Sequence, residues 1–112
     1  MREIKFRAWD IEFKRMVYDI LAQDDQNVLD VSPYGYEVMQ FIGLKDKNGK
    51  DIYEGDIITG MSSFYKDKET RIIEWDDEYT GFQPFVGASF PDGYNFIDVE
   101  IIGNIYENPK LL

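Results

Sequence analysis

Two groups of oxygen-bearing side chains are the residues of this chain best suited, by type and spacing, to do chemistry. The first is Asp46, Asn48, Asp51 and Glu54, set within the segment KDKNGKDIYEGD. Its spacing loosely resembles a calcium loop, in which carboxylates and amide carbonyls surround a hard cation. In that pattern the obligatory glycine stands sixth, whereas counting from Asp46 puts Gly49 fourth. A tight turn with solvated flanking charges is therefore expected here. The second group is Glu74 with the run Asp76, Asp77 and Glu78. Such carboxylates hold Mg²⁺ in phosphoryl-transfer enzymes, but they are normally gathered from separate elements. Three in succession predict a solvated acidic turn, so neither group is expected to hold a metal.

The remaining catalytic inventory is thin. The chain has no histidine and no cysteine, which removes the commonest general base and the most nucleophilic side chain. Seven hydroxyls remain, Ser32, Thr59, Ser62, Ser63, Thr70, Thr80 and Ser89. None sits in a nucleophile elbow, and no glycine-rich run resembles a phosphate-binding loop. A hydrolase working with carboxylates alone, with or without a metal, is the enzymatic pattern left open. The reading is that the protein is not an enzyme and needs no cofactor.

At 112 residues the chain suits one hydrophobic core, since two would need on the order of 100 residues each. Residues 1–112 are read as a single domain. Hydrophobic residues make up 44% and aromatics 16%, enough apolar surface to drive folding and a bias toward strands. No disulfide framework is available and no run approaches the roughly 18 apolar residues of a membrane span. A cytoplasmic location is expected. With 22 acidic against 12 basic residues and a net charge of −10, general affinity for nucleic acid is not expected. The exception is the start of the chain, where Lys5, Arg7, Lys14 and Arg15 accompany Trp9. That mix of base and aromatic is the one single-strand binders use, if all five share a wet face.

The elements that must position these residues are short strands. Ile4, Phe6 and Ala8 alternate with Lys5, Arg7 and Trp9, the period of a strand. A return strand at 15–18 makes residues 4–18 a hairpin whose loop carries Ile11 and Phe13, either tucked back or exposed as a contact patch. Residues 19–36 read as a connector with at most a turn of helix near Ile20 to Gln23. Strands are then expected at 37–42, at 52–53 and from Ile57. Asn48 and Gly49 form the turn between the first two and Gly55 the bend before the third, since these residue types tolerate positive φ. Further strands are expected at 71–75, ended by the acidic run, and at 99–106, with a bulge or bend at Gly103. Residues 79–96 read as loops packed by their own rings. The sum is a mainly β fold, a small partly open barrel or a sandwich of short antiparallel strands.

Four stretches in combination carry a resemblance: MREIKFRAWD with KRMVYD, QFIGLKDKNGKDIYEGDII, IIEWDDEYTGFQPF and VEIIGNIYENPKLL. The chain resembles the YopX family of phage and prophage proteins. Ile11 and Phe13 depart from the polar first loop of that family, and residues 19–37 lie outside the resemblance. The resemblance implies a small, mostly β domain encoded by a bacteriophage or prophage, and no activity or site residue.

The functional expectation is a phage accessory protein that binds another protein or a second copy of itself. An acidic mimic of DNA that occupies a DNA-binding protein is one form of this. The expected contact surface is Trp75, Asp76, Asp77, Glu78 and Tyr79, because exposed aromatics are enriched at interfaces. Asn48, Gly49, Gly55 and Gly103 are assigned to turns. Nucleic-acid contact through the first hairpin is the second reading.

Overall fold

The computed structural model describes residues 3–20, 35–62, 67–78, 80–85 and 96–112. Nine strands occur among them: β1 (Phe6–Asp10), β2 (Arg15–Ile20), β3 (Tyr36–Lys45), β4 (Asp51–Tyr53), β5 (Asp56–Ser62), β6 (Lys68–Ile72), β7 (Glu74–Asp76), β8 (Gly81–Gln83) and β9 (Phe96–Asn104). A single 3-10 turn, Pro109–Leu111, follows. The fold is mainly β, as its composition implied.

All described pairings are antiparallel. One sheet has the order β2-β1-β3-β4, a second β6-β5-β9, and a third pairs β7 with β8. The first sheet curls as half of a barrel. The cause lies in β3, whose first half pairs with β1 and whose second half pairs with β4. Between Phe41 and Lys45 the register shifts, and there Gly43 takes a φ of 92°. A residue in the left-handed region re-aims the strand, so one strand serves two partners.

The hairpin loop is set by Asp10, which is fully buried. Its Oδ1 accepts from the backbone N–H of Glu12 and Phe13. The backbone turns inward while Ile11 and Phe13 stay exposed, Phe13 with Arg15 over its ring. The strand expected at 71–75 is broken at Ile73. Its N–H donates to the carbonyl of Asp56 and its own carbonyl accepts from Gly55, which stitches the break to the bend before β5. Gly103 pairs with Ile57 beside the register shift that leaves Ile102 as the extra residue. The chain turns after Asn104, so Ile105 and Tyr106 belong to that turn and not to β9. The expected loops at 79–96 include one short strand, β8. The helical turn near Ile20 to Gln23 falls mostly outside the described residues.

The core gathers where the sheets meet: Ile42, Ile52, Ile58, Ile73, Phe82 and Val99, with Phe85, Phe96 and Ile101 against it. Five of the nine strands contribute to the buried cluster, so these apolar residues hold together segments far apart in sequence.

Candidate functional site

The turn between β3 and β4 stands between two hollows of opposite character. Asp46 builds the turn. Its Oδ1 accepts from the N–H of Asn48 and Lys50, and its Oδ2 accepts from the N–H of Ile101 in β9. Burial works to raise the pKa of Asp46, yet the three amides outweigh it and the net shift is downward. Lys47 adds an N–H to the carbonyl of Val99. The carboxylate that resembled a calcium ligand is thus a clasp fastening the turn to another sheet.

On one side of the turn lies an apolar groove of about 530 Å³, walled by Leu44, Ile52, Phe85, Phe96, Ile97 and Val99. Phe85 and Phe96 meet edge to face with centroids 6.4 Å apart. Gly60 makes room for this wall, because a Cβ there would run into the Phe96 ring. Leu44 and Ile97 are both exposed. Next to Ile97, Asp98 takes a φ of 58°, a left-handed conformation that carries strain for a non-glycine residue.

On the other side lies a polar cleft of about 780 Å³ that includes Arg7, Tyr18, Lys50, Tyr53, Asp56 and Glu107 among its walls. Its floor is a buried ion pair, with Arg7 Nη2 2.9 Å from Asp56 Oδ1 and both side chains 3% exposed. The same nitrogen donates to the carbonyl of Glu54, and the N–H of Tyr53 donates to Asp56 Oδ2. The guanidinium lies 4.8 Å from the Tyr53 ring centroid and 6.0 Å from that of Tyr18. Burial raises the pKa of Asp56 against the lowering effect of Arg7. At the rim, Asp51 is held by both Lys5 and Lys45, and hydrogen bonds from Lys45 and then Lys5 lower its pKa. Strand β4 explains the contrast: Ile52 faces the groove while Asp51 and Tyr53 face the cleft, as alternation requires.

The profile of the YopX protein family matches residues 5–112. The chain belongs to the YopX family. The match includes residues 19–37, the stretch outside the sequence resemblance. No curated protein matches. Among solved structures, the YopX chain is similar to the crystal structure of protein EF1440 from Enterococcus faecalis. The two share 27% sequence identity and a TM-score of 0.64, over 100% of this chain and 99% of the other.

Of the residues expected to form the contact surface of this YopX protein, Trp75 and Asp76 lie in β7 and Asp77 and Glu78 in the turn that follows it. Trp75 is 46% exposed, with its ring edge against Phe82 and its Nε1 donating to Asp77. Asp76 accepts from the N–H of Glu78 and from Gln83 Nε2. These carboxylates shape a turn, and among the described residues no group of three or more potential ligands could hold a metal ion. Tyr79 lies outside the described residues. Gly49 and Gly55 have φ of 83° and 88°, whereas Asn48 does not take positive φ. The Asn48 position depends instead on Asp46 accepting its N–H.

The first hairpin corrects the expected wet basic face. Arg7 is buried on Asp56, Lys5 is paired with Asp51, and Trp9 stacks on Tyr106 with centroids 5.5 Å apart. Alternation placed Arg7 and Trp9 together, correctly. It did not reveal that this face is covered by the bend at Gly55 and by the turn after Asn104. Of the sequence signals, Trp9 on a supposedly wet face was the one that pointed to a partner.

Proposed function

We propose that this YopX chain is a non-enzymatic binding protein of a phage or prophage, acting in the bacterial cytoplasm by contact with a protein partner or a second copy of itself. The observation that carries the reading is the apolar groove beside the Asp46 turn. Leu44 and Ile97 are exposed apolar side chains at the edges of a concave surface whose inner wall is aromatic. Such pockets take the anchor side chain of a partner and supply most of an interface's energy. The strained Asp98 at its edge is consistent with a site held for contact, since local strain concentrates at functional positions.

Charge favours a basic partner over nucleic acid, because 22 acids face 12 bases and three of the hairpin bases, Lys5, Arg7 and Arg15, are already paired. A DNA-binding protein occupied by an acidic mimic is one such partner. Contact with nucleic acid through Lys14 and Arg15, and a carboxylate-dependent hydrolase, are the remaining readings, and no observation favours either.

The test combines light scattering with affinity capture from host lysate, using the wild type and the doubly substituted Leu44→Asp, Ile97→Asp protein. Self-association or retention of a specific partner by the wild type, lost in the double variant, is the expected result. A strictly monomeric wild type that retains no partner overturns the proposal, as does a partner held equally by the variant.

A further inference from the structure

The polar cleft offers a site that the groove does not need, and the inference from it is independent of the protein-binding proposal. Arg7 is 97% withdrawn from solvent, yet its Nε has no hydrogen-bond partner. A buried donor of a charged group left unpaired bears its desolvation cost with no bond to offset it. Here it stands on the floor of a concave polar surface.

The other charges of the cleft are unequally engaged. Asp56 is taken by Arg7, and Asp51 by Lys5 and Lys45. Lys50, exposed at the mouth, forms no ion pair among the described residues. Glu107, on the C-terminal wall, accepts from Asn104 Nδ2 but faces no cation in a described ion pair. One buried unpartnered donor and one exposed ammonium, whose charge also reaches the Asp46 carboxylate, therefore share a cleft large enough for a small molecule, within the range of about 300–1,000 Å³ typical of ligand sites. The half-exposed Tyr18 ring lies over the guanidinium and meets the buried Tyr53 ring edge to face, with centroids 5.8 Å apart, so it covers Arg7 from the solvent side.

We propose that this cleft binds a small ligand through an oxyanion, either carboxylate or phosphate, held between Arg7 Nε and the Lys50 ammonium after Tyr18 swings aside. Arginine and lysine together are suited to such groups, the planar guanidinium giving direction and the ammonium giving charge. Glu107 and the surrounding acids repel long polyanions, which selects a small ligand over a nucleic-acid strand.

The experiment is a titration of the ¹⁵N-labelled protein, followed by NMR, with inorganic phosphate in one arm and acetate in the other. Saturable shifts clustered around residues 7, 18 and 50 are expected in at least one arm. Saturation by phosphate alone assigns a phosphorylated ligand, and saturation by acetate alone assigns a carboxylate. Lys50→Ala weakens binding about tenfold, and so does Arg7→Lys, which keeps a charge facing Asp56 but removes Nε. Tyr18→Ala binds as well as the wild type or better, and Lys110→Ala is unchanged. If Arg7→Lys fails to fold, Lys50→Ala on its exposed turn decides alone. Absence of saturable shifts in both arms overturns the proposal. So does wild-type affinity in Lys50→Ala, or equal weakening in Lys110→Ala.

Discussion

The apolar groove and the polar cleft share a wall, the turn from Asp46 to Lys50, and differ in everything that faces inward. The groove is a margin of the hydrophobic core left open: Ile52 and Val99 belong to the buried cluster, and Phe85 and Phe96 pack against it. The cleft is closed at its base by an ion pair that joins β1 to β5. Alternation along three residues of β4 is enough to send Ile52 one way and Asp51 and Tyr53 the other. Two neighbouring hollows can thus carry different chemistry without any extra element, and they should fail differently when broken.

The cleft side gives the largest expected effect. Asp56→Ala removes the counter-charge of Arg7 together with the oxygens that accept from Arg7 and from the N–H of Tyr53, acceptors that a protonated Asp56 would still offer, and breaking one partner of a buried pair in this way typically costs about 3–5 kcal/mol. Denaturant unfolding should show that loss as a large fall in midpoint. The double substitution Arg7→Met, Asp56→Leu removes both charges and should recover most of it, because a buried pair seldom exceeds apolar packing in stability. Equal losses in the single and double variants would mean that the cleft depends on the pair for more than charge balance.

On the groove side the critical residue is one with no side chain. Gly60→Ala places a methyl group against the Phe96 ring, which lies across β5. Overpacking of this kind costs about 1–3 kcal/mol, and the aromatic wall must shift. The expected outcome is a moderate loss of stability together with loss of partner binding, while shifts around the cleft on phosphate or acetate addition are retained. An intact groove in Gly60→Ala, seen as wild-type partner capture, would break the distinction between the two hollows.

What the sequence showed of this arrangement was local. Gly49 and Gly55 stand where the chain bends because positive φ is a property of one residue, legible from its type. The alternation of β1 was equally legible and correctly grouped Arg7 with Trp9. Which face was wet was not, because burial of Arg7 depends on Asp56, 49 positions away, and on Tyr106 stacking over Trp9. Asp46 shows the same limit within one side chain. Its bonds to Asn48 and Lys50 follow from turn chemistry, whereas its bond to Ile101 follows from the placement of β9. The groove was invisible for the same reason, its walls coming from β3, β4, β9 and the residues just after β8.

The smallest effect tests the shared wall itself. Asp46→Asn keeps one acceptor oxygen, so either the local turn or the tie to Ile101 is lost, at about 1–2 kcal/mol. Its pH dependence is more telling than its size. The pKa of Asp46 is lowered by folding, as is that of Asp51. Their stabilisation is therefore present above the unfolded value of about 3.9 and lost as pH falls through the folded values. Asp56 has the opposite sign: its raised pKa means that its contribution is present below about 3.9 and lost as pH rises through the folded value. The wild type should therefore gain stability as pH falls through the titration of Asp56, then lose it below about pH 4. Urea midpoints measured between neutral pH and pH 3 would resolve the two trends. Asp46→Asn should flatten the acid loss and keep the earlier gain, moved slightly to lower pH because the Asp46 charge helps to raise the pKa of Asp56. An unchanged acid loss in this variant would show that the turn's clasp is not what separates the two hollows.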